Sequence, residues 1–437
     1  MTLYTQHLEQ LRTTFNEGLK RANVDGVLIY AGEQKYPFQD DNGQRVNINP
    51  YFKYWLPLTS QVKSFVYYEA NEKPRLFLYQ ISDYWHAQPE TPPGEWQEHF
   101  DLTIISDPLE VSKHLNQRLS NTAFIGEETE LATELGINNV NPSALLNYIN
   151  YQRAYKSAYE INNMRNANQL SAKAHLAAKT AFYNGASELE IHQAYLAAIN
   201  IRESELPYNN IIALNQHGAI LHYDHYQTTK PTHFKSFLID AGASFNGYHA
   251  DISRTYIGEQ YANHEFSELY QAYQQEYAEL LGEISLDKSY LAFHDSSHRR
   301  MAKLLSQFGL LNCSAEKAYE HGYSRVFFPC GTGHYIGLQV HDIGGYLSEN
   351  GLNESVRDPR YPFLRLNRPM ENNVVFTVEP GIYFIDMLLE QHKDNPDFNW
   401  SRINHFKSFG GFRMEDSIAM VNGKPENLSQ QAFDELA

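Results

Sequence analysis

The pattern of apolar and polar positions divides this sequence into two regions. In the first, 3–22 has the spacing of an amphipathic helix, and five short apolar runs are typical of buried strands: 26–30, 64–68, 74–79, 102–105 and 123–126. Helical patterns near 108–119 and 142–150 alternate with these runs, which predicts an α/β domain. The polar and aromatic segment 32–57 is interpreted as a surface loop.

The second region follows a long helical pattern that extends from 151 to 182. Ser187 and Glu190 have the spacing of a capping box, so a new helix is predicted to begin there. Beyond about 205, strand patterns dominate at 210–213, 236–240, 248–256, 373–379 and 412–420, with helices near 264–284 and 290–307. We therefore predict an N-terminal α/β domain over 1–155 and an α+β domain over 156–437.

Charge and composition exclude several classes of function. The net charge of −17 argues against nucleic acid as a partner, because phosphate binding needs a basic face. No apolar run approaches the length that spans a membrane, and the N-terminus lacks the pattern of a secretory signal. The two cysteines do not form a disulfide framework, so a cytoplasmic location is expected.

A glycine-rich stretch at 327–345 carries two histidines, His334 and His341, among five glycines. Glycines at this density let a backbone turn sharply and approach another group closely. A lone histidine in such a stretch is usually a packed polar residue. Carboxylates elsewhere in the chain favour a chemical role instead.

Four acidic residues lie at the ends or edges of short apolar strands: Asp240, Asp251, Glu379 and Glu415. An unpaired charge in such a place is costly. Each acid could be balanced by its own basic partner, but most of the 35 Lys and Arg residues lie in polar segments. Two divalent cations would balance the four carboxylates, with neutral His334 as a fifth ligand. Oxygen donors with one imidazole suit Mn²⁺, Co²⁺ or Zn²⁺, and a metal pair can hold a bridging water as hydroxide.

At these residues the sequence resembles the metallopeptidases of the pita-bread fold, which include creatinase, aminopeptidase P and methionine aminopeptidase. The order Asp, Asp, His, Glu, Glu matches, and so do the segments 376–384 and 410–416. The similarity is greatest to the proline dipeptidases (prolidases) and to their bacterial relatives, the organophosphorus acid anhydrolases. It extends over the whole chain, and it implies a creatinase-like N-terminal domain, a pita-bread catalytic domain, a centre of two Mn²⁺ ions and a homodimer.

The resemblance also implies roles for single residues. The metal ligands would be Asp240, Asp251, His334, Glu379 and Glu415. Glu379 would also be the general base, and His341 would donate to the oxygen of the tetrahedral intermediate.

The remaining roles concern the substrate. His222 would lie over the substrate, and Arg365 would bind the carboxylate of a C-terminal proline, with Arg413 and Tyr208 in the same pocket. One departure is Cys330, which stands where prolidases have a histidine near the substrate. This exchange leaves metal binding intact and puts substrate affinity, choice or turnover in doubt.

The resemblance leaves three interpretations open. The leading one is hydrolysis of Xaa-Pro dipeptides by a metal-bound hydroxide, to which the resemblance adds an expected side activity on organophosphate triesters. The second is an aminopeptidase P-like exopeptidase that acts on longer Xaa-Pro peptides. The third is a catalytically impaired pita-bread protein that uses the pocket for binding alone.

Overall fold

The computed structural model describes residues 1–437, which form two compact units. The first unit contains 1–162 with 246–248 and 347–354, and the second contains the rest of the chain. A 26-residue helix, Ala158–Tyr183, begins in the first unit and continues into the second. The boundary between residues 155 and 156 stays a prediction.

The first unit is built on a six-stranded mixed sheet. Its strands are β1 (Gly26–Tyr30), β2 (Phe65–Glu69), β3 (Arg75–Tyr79), β4 (Asp101–Ile105), β5 (Thr122–Ile125) and β6 (Asn139–Val140), in the order β4-β3-β2-β1-β5-β6. The central strand β1 is antiparallel to β2 and parallel to β5, and all five of its residues are buried. The helices are α1 (Leu3–Ala22), α2 (Pro50–Trp55), α3 (Val111–Leu115), α4 (Thr129–Glu134) and α5 (Ser143–Arg153). The mixed α/β character of this region is confirmed.

Two predictions for this region are wrong in part. The segment 32–57 is not entirely a surface loop, because α2 lies within it and buries the rings of Phe52 and Trp55. The helix near 108–119 is α-helical only over α3, with 3₁₀ turns on either side.

Helices of the second unit surround its sheets. They are α6 (Ala158–Tyr183), α7 (Glu188–Ile199), α8 (Glu265–Leu281), α9 (Tyr290–Gln307), α10 (Ala315–Glu320), α11 (Ser324–Phe327), α12 (Asp386–Leu389), α13 (Trp400–Lys407) and α14 (Leu428–Asp434). The predicted capping box is present, since Ser187 Oγ accepts from the Glu190 amide and Glu190 Oε2 accepts from the Ser187 amide. The pattern at 151–182 is not one helix, because α5 ends at Arg153 and α6 begins at Ala158. No helix of the chain combines the length and the apolar character that crossing a bilayer requires.

Short antiparallel sheets form the centre of the second unit. Their strands are β7 (Ile211–Leu214), β8 (Ser236–Ala241) and β11 (Ile252–Ile257) in one sheet, and β14 (Val375–Val378), β17 (Asp416–Val421) and β18 (Lys424–Asn427) in another. A third sheet pairs β15 (Gly381–Tyr383) with β16 (Gly411–Arg413), and the chain also forms the two-residue strands β9 (Ser244–Phe245), β10 (Tyr248–His249), β12 (Leu347–Ser348) and β13 (Asn353–Glu354). Helices α6 and α7 pack on β7 and β8 through buried side chains that include Ala178, Tyr195, Ile212 and Ile239.

Two of the predicted strands are interrupted. The run 248–256 breaks at Ala250 and Asp251, and the run 412–420 breaks at Met414 and Glu415. Each break therefore contains one of the acids that the sequence analysis singled out. Asp251 is not paired in a strand ladder, and Glu415 makes only an isolated antiparallel bridge to Ser253, so neither side chain is held in the pleat of a longer strand.

Candidate metal centre

The two strand breaks lie side by side. The Glu415 amide donates to the Ser253 carbonyl over 3.0 Å, and this pairing joins the start of β11 to the segment before β17. The Ser253 hydroxyl also donates to Glu415 Oε2 at 2.8 Å. Together these contacts fix the Glu415 side chain next to Asp251.

Three buried side chains converge at this point. Ligand atoms of Asp251, His334 and Glu415 all lie within 4.8 Å of one another. Nε2 of His334 is 3.6 Å from Asp251 Oδ2, 3.9 Å from Glu415 Oε1 and 3.5 Å from Glu379 Oε1. One imidazole nitrogen therefore faces three of the four predicted acids.

The backbone around His334 orients its ring. Nδ1 lies 2.9 Å from the Tyr335 carbonyl, which can only accept, so Nδ1 carries the proton and Nε2 presents its lone pair to the acids. The amide and carbonyl of His334 both bond to Thr377, just before Glu379. This close approach needs Gly333, where a Cβ would lie 1.9 Å from the Thr377 carbonyl oxygen.

The electrostatics of the cluster favour a cation. Burial, with repulsion from Asp240, raises the pKa of Asp251 well above its ordinary value, and burial with repulsion from Asp251 does the same for Glu415. Burial raises the pKa of Glu379 to about 7 and lowers the pKa of His334 to about 3. In addition, Glu415 Oε1 is buried without a hydrogen-bond partner. Inward-facing lone pairs and an unsatisfied carboxylate oxygen fit a divalent cation.

Asp240 differs from the other acids because it has a basic partner. The Arg413 guanidinium is buried and donates from Nη2 to Asp240 Oδ2 at 2.6 Å. Its Nε donates to the Ser253 hydroxyl and its Nη1 to the Tyr383 hydroxyl. The expectation that the four acids lack arginine or lysine partners is therefore wrong for Asp240, and Arg413 is engaged by the centre itself.

Tyr208 also contacts the acids directly. Its hydroxyl lies 2.8 Å from Asp240 Oδ1 and 2.5 Å from Asp251 Oδ1, so it joins the carboxylates of β8 and of the break before β11. This contact goes beyond the predicted place of Tyr208 in the substrate pocket.

His294, a buried residue outside the predicted site, supports Glu379 indirectly through Thr332. The Glu379 amide donates to the Thr332 carbonyl at 2.7 Å, and the Thr332 amide donates to Nδ1 of His294. His294 lies on α9 and is 1% exposed. The only feature of the sequence that could have drawn attention to His294 is its spacing to His298 on a predicted amphipathic helix. That spacing is equally typical of residues packed in the core.

Of the other predicted histidines, His341 lies against His334, and His222 lies close enough to His341 for their charges to interact. The rings of His341 and His334 are 4.4 Å apart and perpendicular. Burial, together with the charge of Arg365, lowers the pKa of His341 to about 4, and the charge of His222 acts in the same direction. His222 itself is exposed.

A single buried carboxylate fixes the loop that carries His222. Glu188, at the start of α7, is 1% exposed and accepts four hydrogen bonds of 2.6 to 2.9 Å. The donors all lie between 214 and 227, and they are the Leu214 amide, His217 Nδ1, the Tyr223 hydroxyl and the Gln227 amide. These bonds lower the pKa of Glu188 despite its burial.

Arg365 and Cys330 lie at the edge of the same cluster. Arg365 is exposed, and its charge partly offsets the rise that burial causes in the pKa of Glu379. Its backbone packs on the glycine-rich stretch, since a Cβ at Gly345 would lie 2.4 Å from the Arg365 carbonyl oxygen. Burial, with repulsion from Glu379, raises the pKa of the Cys330 thiol to about 12. The structure thus brings the predicted residues into one region of the second unit.

Comparison with protein families identifies this arrangement. Residues 162–422 match the model of metallopeptidase family M24, which covers more than half of the chain. The chain belongs to this family. Residues 2–151 match the model described as the N-terminal domain of Xaa-Pro dipeptidase. The prediction of a metallopeptidase that uses divalent metal ions is confirmed by this membership together with the cluster of Asp251, His334 and Glu415.

Curated relatives match along their whole length. The chain is 44% identical over 440 residues to Xaa-Pro dipeptidase 2 of Idiomarina loihiensis, covering 100% of this chain and 99% of the relative. It is 41% identical to the Xaa-Pro dipeptidase of Pseudoalteromonas translucida, with 98% of each chain covered. The suspected kinship to the prolidases is confirmed.

Solved structures bear on the fold. Aminopeptidase P from Escherichia coli with the inhibitor Pro-Leu has a TM-score of 0.75 at 20% identity, covering 99% of this chain and 96% of that one. Proline aminopeptidase P II from Yersinia pestis has a TM-score of 0.74 at 20% identity, covering 99% and 97%. The predicted architecture, a smaller α/β domain before a pita-bread domain, is confirmed.

Proposed function

We propose that this chain hydrolyses Xaa-Pro dipeptides with two divalent cations per subunit, held by Asp240, Asp251, His334, Glu379 and Glu415. The observation that carries the proposal is the His334 Nε2 lone pair, which faces three carboxylates at 3.5 to 3.9 Å. Support for the substrate comes from relatives named Xaa-Pro dipeptidase that match over nearly their whole length.

The donor set favours Mn²⁺ and also admits Co²⁺ or Zn²⁺, because it consists of carboxylate oxygens and one imidazole. Cations bound there would polarise the scissile carbonyl and lower the pKa of a water molecule. The residues of the chain must then bind the dipeptide, orient it and move protons.

Glu379 is proposed as the general base. Its backbone is fixed through Thr332 and His294, so the carboxylate stays within reach of His334. The base takes the proton of the attacking water and passes it to the prolyl nitrogen as the peptide bond breaks.

His341 and His222 are proposed to act on the substrate. Since its pKa is lowered to about 4, His341 is neutral near pH 7 and keeps one N–H to donate to the developing oxyanion. His222 lies on the loop that Glu188 fixes, and it holds the dipeptide from the exposed side.

Arg365 is proposed to bind the proline carboxylate. A guanidinium matches both oxygens of a carboxylate, and the exposed position of Arg365 leaves its fork available. This contact would restrict hydrolysis to dipeptides. Cys330 is proposed to line the same pocket, and we propose that Tyr208 and Arg413 support it by holding Asp240.

The aminopeptidase P-like alternative keeps the centre and changes the substrate length. The structural neighbours named aminopeptidase P share the fold, whereas the similarity over whole sequences favours the dipeptidases. The organophosphate side activity stays a prediction. We further propose a cytoplasmic location, which the two free cysteines suit, and a homodimer. Light scattering of the purified protein tests the dimer.

The function is tested by proline release from a panel of Xaa-Pro dipeptides and matched Xaa-Pro-Xaa tripeptides, with and without Mn²⁺. We expect Mn²⁺-dependent release from the dipeptides alone. Asp251→Asn should abolish both release and Mn²⁺ binding, while Asp386→Asn, at an acid that is 71% exposed, should change neither. Full activity of Asp251→Asn would disprove the assignment, and cleavage of the tripeptides would favour the aminopeptidase alternative.

A further inference from the structure

We propose that Tyr361 is a positioning residue for Arg365 and thereby sets the preference for substrates with a free carboxylate on the proline. The inference rests on the proposed function. Tyr361 lies four residues before Arg365 in a loop without regular secondary structure, and it is 4% exposed. A tyrosine this deeply buried anchors the loop to whatever its ring contacts.

The ring of Tyr361 packs on two histidines of α9. It stacks on His298, with centroids 5.0 Å apart and an angle of 13° between the planes. It meets His294 edge-on at 4.3 Å and 83°. Aromatic pairs in these geometries contribute beyond the burial of their area, so the loop is held to one face of this helix.

The hydroxyl of Tyr361 adds a polar anchor. It donates to Asp295 Oδ1 at 2.6 Å, and Asp295 lies next to His294 on α9. The same carboxylate oxygen accepts from the Tyr319 hydroxyl at 3.0 Å. Tyr319 belongs to α10 and not to the Arg365 loop, so it provides a matched control for the loss of one hydrogen bond at Asp295.

A short turn connects the anchored Tyr361 to Arg365. The Leu364 amide donates to the Tyr361 carbonyl at 3.2 Å, and the Leu364 carbonyl accepts from the Tyr346 hydroxyl at 2.5 Å. The Arg365 carbonyl then rests against Gly345. The backbone of Arg365 is thus fixed on both sides while its guanidinium is exposed.

This combination is what carboxylate recognition requires. Arginine loses considerable rotamer freedom when it binds, and a mobile backbone would add to that cost. A backbone held in advance lowers the cost of ordering the guanidinium on its ligand. Removing the Tyr361 anchor should therefore weaken recognition of the carboxylate more than it affects the chemical step.

The experiment is a double-mutant cycle on the Mn²⁺-loaded enzyme. It uses wild type, Tyr361→Leu, Arg365→Ala and the double variant, each assayed on a Xaa-Pro dipeptide and on the same dipeptide as its C-terminal amide. Arg365→Ala should raise KM for the acid about 10- to 100-fold and leave the amide unchanged. Tyr361→Leu should raise KM for the acid about 3- to 10-fold and leave KM for the amide unchanged, while any loss of kcat that passes through His294 to Glu379 should be equal on the two substrates. The double variant should be no worse than Arg365→Ala, and Tyr319→Leu should match wild type.

Each other result has a defined meaning. The positioning role would be overturned if Tyr361→Leu raised KM for the acid and for the amide by the same factor. It would also be overturned if the effects of the two substitutions on KM for the acid were fully additive in the double variant. An unchanged acid-to-amide preference in Arg365→Ala would overturn both the role of Arg365 and that of Tyr361. Absence of hydrolysis by the wild type would refute the proposed function, and the inference with it. If Tyr361→Leu does not fold, Tyr361→Phe and Tyr319→Phe each remove one hydrogen bond to Asp295, and only the former should alter KM.

Discussion

Asp240 and Arg413 form a largely buried ion pair, in which Nη2 of the arginine lies 2.6 Å from Oδ2 of the acid. The same guanidinium bonds to Ser253 and Tyr383, so it joins β8, β11, β15 and β16 at one point. The pair orients one proposed metal ligand before any cation binds.

Arg413→Lys should show how much this fork contributes. An ammonium keeps the charge, but its three N–H donors share one nitrogen and cannot replace the bonds that Nε, Nη1 and Nη2 make to three different acceptors, so we expect the free energy of unfolding to fall by about 2 to 4 kcal/mol. Affinity for Mn²⁺ should fall as well. Urea denaturation and titration calorimetry measure the two effects. Arg21→Lys, at an exposed ion pair with Glu17, should cost less than about 1 kcal/mol.

The pKa of Glu379 predicts how stability depends on pH without added metal. Because this pKa is raised from 4.5 to about 7, the folded chain binds a proton more tightly than the unfolded chain between these values. The contribution of Glu379 to the free energy of unfolding should therefore fall as the pH rises from 4.5 to 7, and saturating Mn²⁺ should reverse this. Urea denaturation of EDTA-treated protein at several pH values measures it. Glu379→Gln removes the titrating group, so an identical pH dependence in that variant would contradict the prediction.

His341→Ala tests the proposed oxyanion donor. Loss of one preorganised donor should lower kcat about 100- to 1,000-fold, with little change in KM. The metal content should stay at the wild-type level, since the lone pair that faces the acids belongs to His334. Steady-state kinetics and elemental analysis of one preparation measure both. A parallel loss of metal would show that His341 is needed for the centre itself.

Gly333→Ala should disrupt the approach of the glycine-rich stretch to β14. The added Cβ would lie 1.9 Å from the Thr377 carbonyl oxygen and 2.3 Å from the Tyr290 hydroxyl, so the backbone must move. We expect a loss of about 1 to 3 kcal/mol in stability and weaker metal binding. Gly218→Ala is the control, because its Cβ would meet nothing closer than 3.6 Å. Equal thermal midpoints for the two variants would contradict this account.

Cys330 should react slowly with thiol reagents. Its pKa is about 12, so little thiolate is present at pH 8. We expect iodoacetamide to label Cys313 first and to leave activity on Xaa-Pro dipeptides intact while Cys330 is unmodified. Peptide mass spectrometry over a time course follows both sites. Faster labelling of Cys330 would show that its thiol is more acidic than the burial indicates.

The candidate site could be predicted from the sequence as far as its acids were concerned. Asp251, Glu379 and Glu415 interrupt or end apolar strands, and burial without a basic partner is what drew attention to them. The Asp240–Arg413 pair could not be predicted, because the two residues are 173 positions apart and their contact depends on how β8 and β16 pack. Local patterns show which residues are costly to bury and leave open which distant group offsets the cost.

The elements of the fold also divide into those that local sequence patterns predict and those that they do not. Strands with continuous apolar runs, such as β1, were predicted correctly. Helix α2 was missed, although Asn49 caps it and Pro50 follows at its first turn, which is a recognisable helix start. The breaks at Asp251 and Glu415 were missed because each lies within an uninterrupted strand pattern, and the bridge that pairs Glu415 with Ser253 joins residues 162 positions apart.

The four bonds to Glu188 have a consequence for engineering. They attach both ends of the segment 214–227 to α7 through one carboxylate, so residues within this segment can be exchanged without loss of its attachment. A grafted sequence that keeps donors at positions 217 and 223, with amides at 214 and 227, and that also keeps His222, retains its anchorage whatever stands at 220 and 221. Libraries that aim to broaden the range of accepted amino acids before proline can therefore vary 220 and 221 beside the proposed substrate contact of His222, while Glu188 is kept.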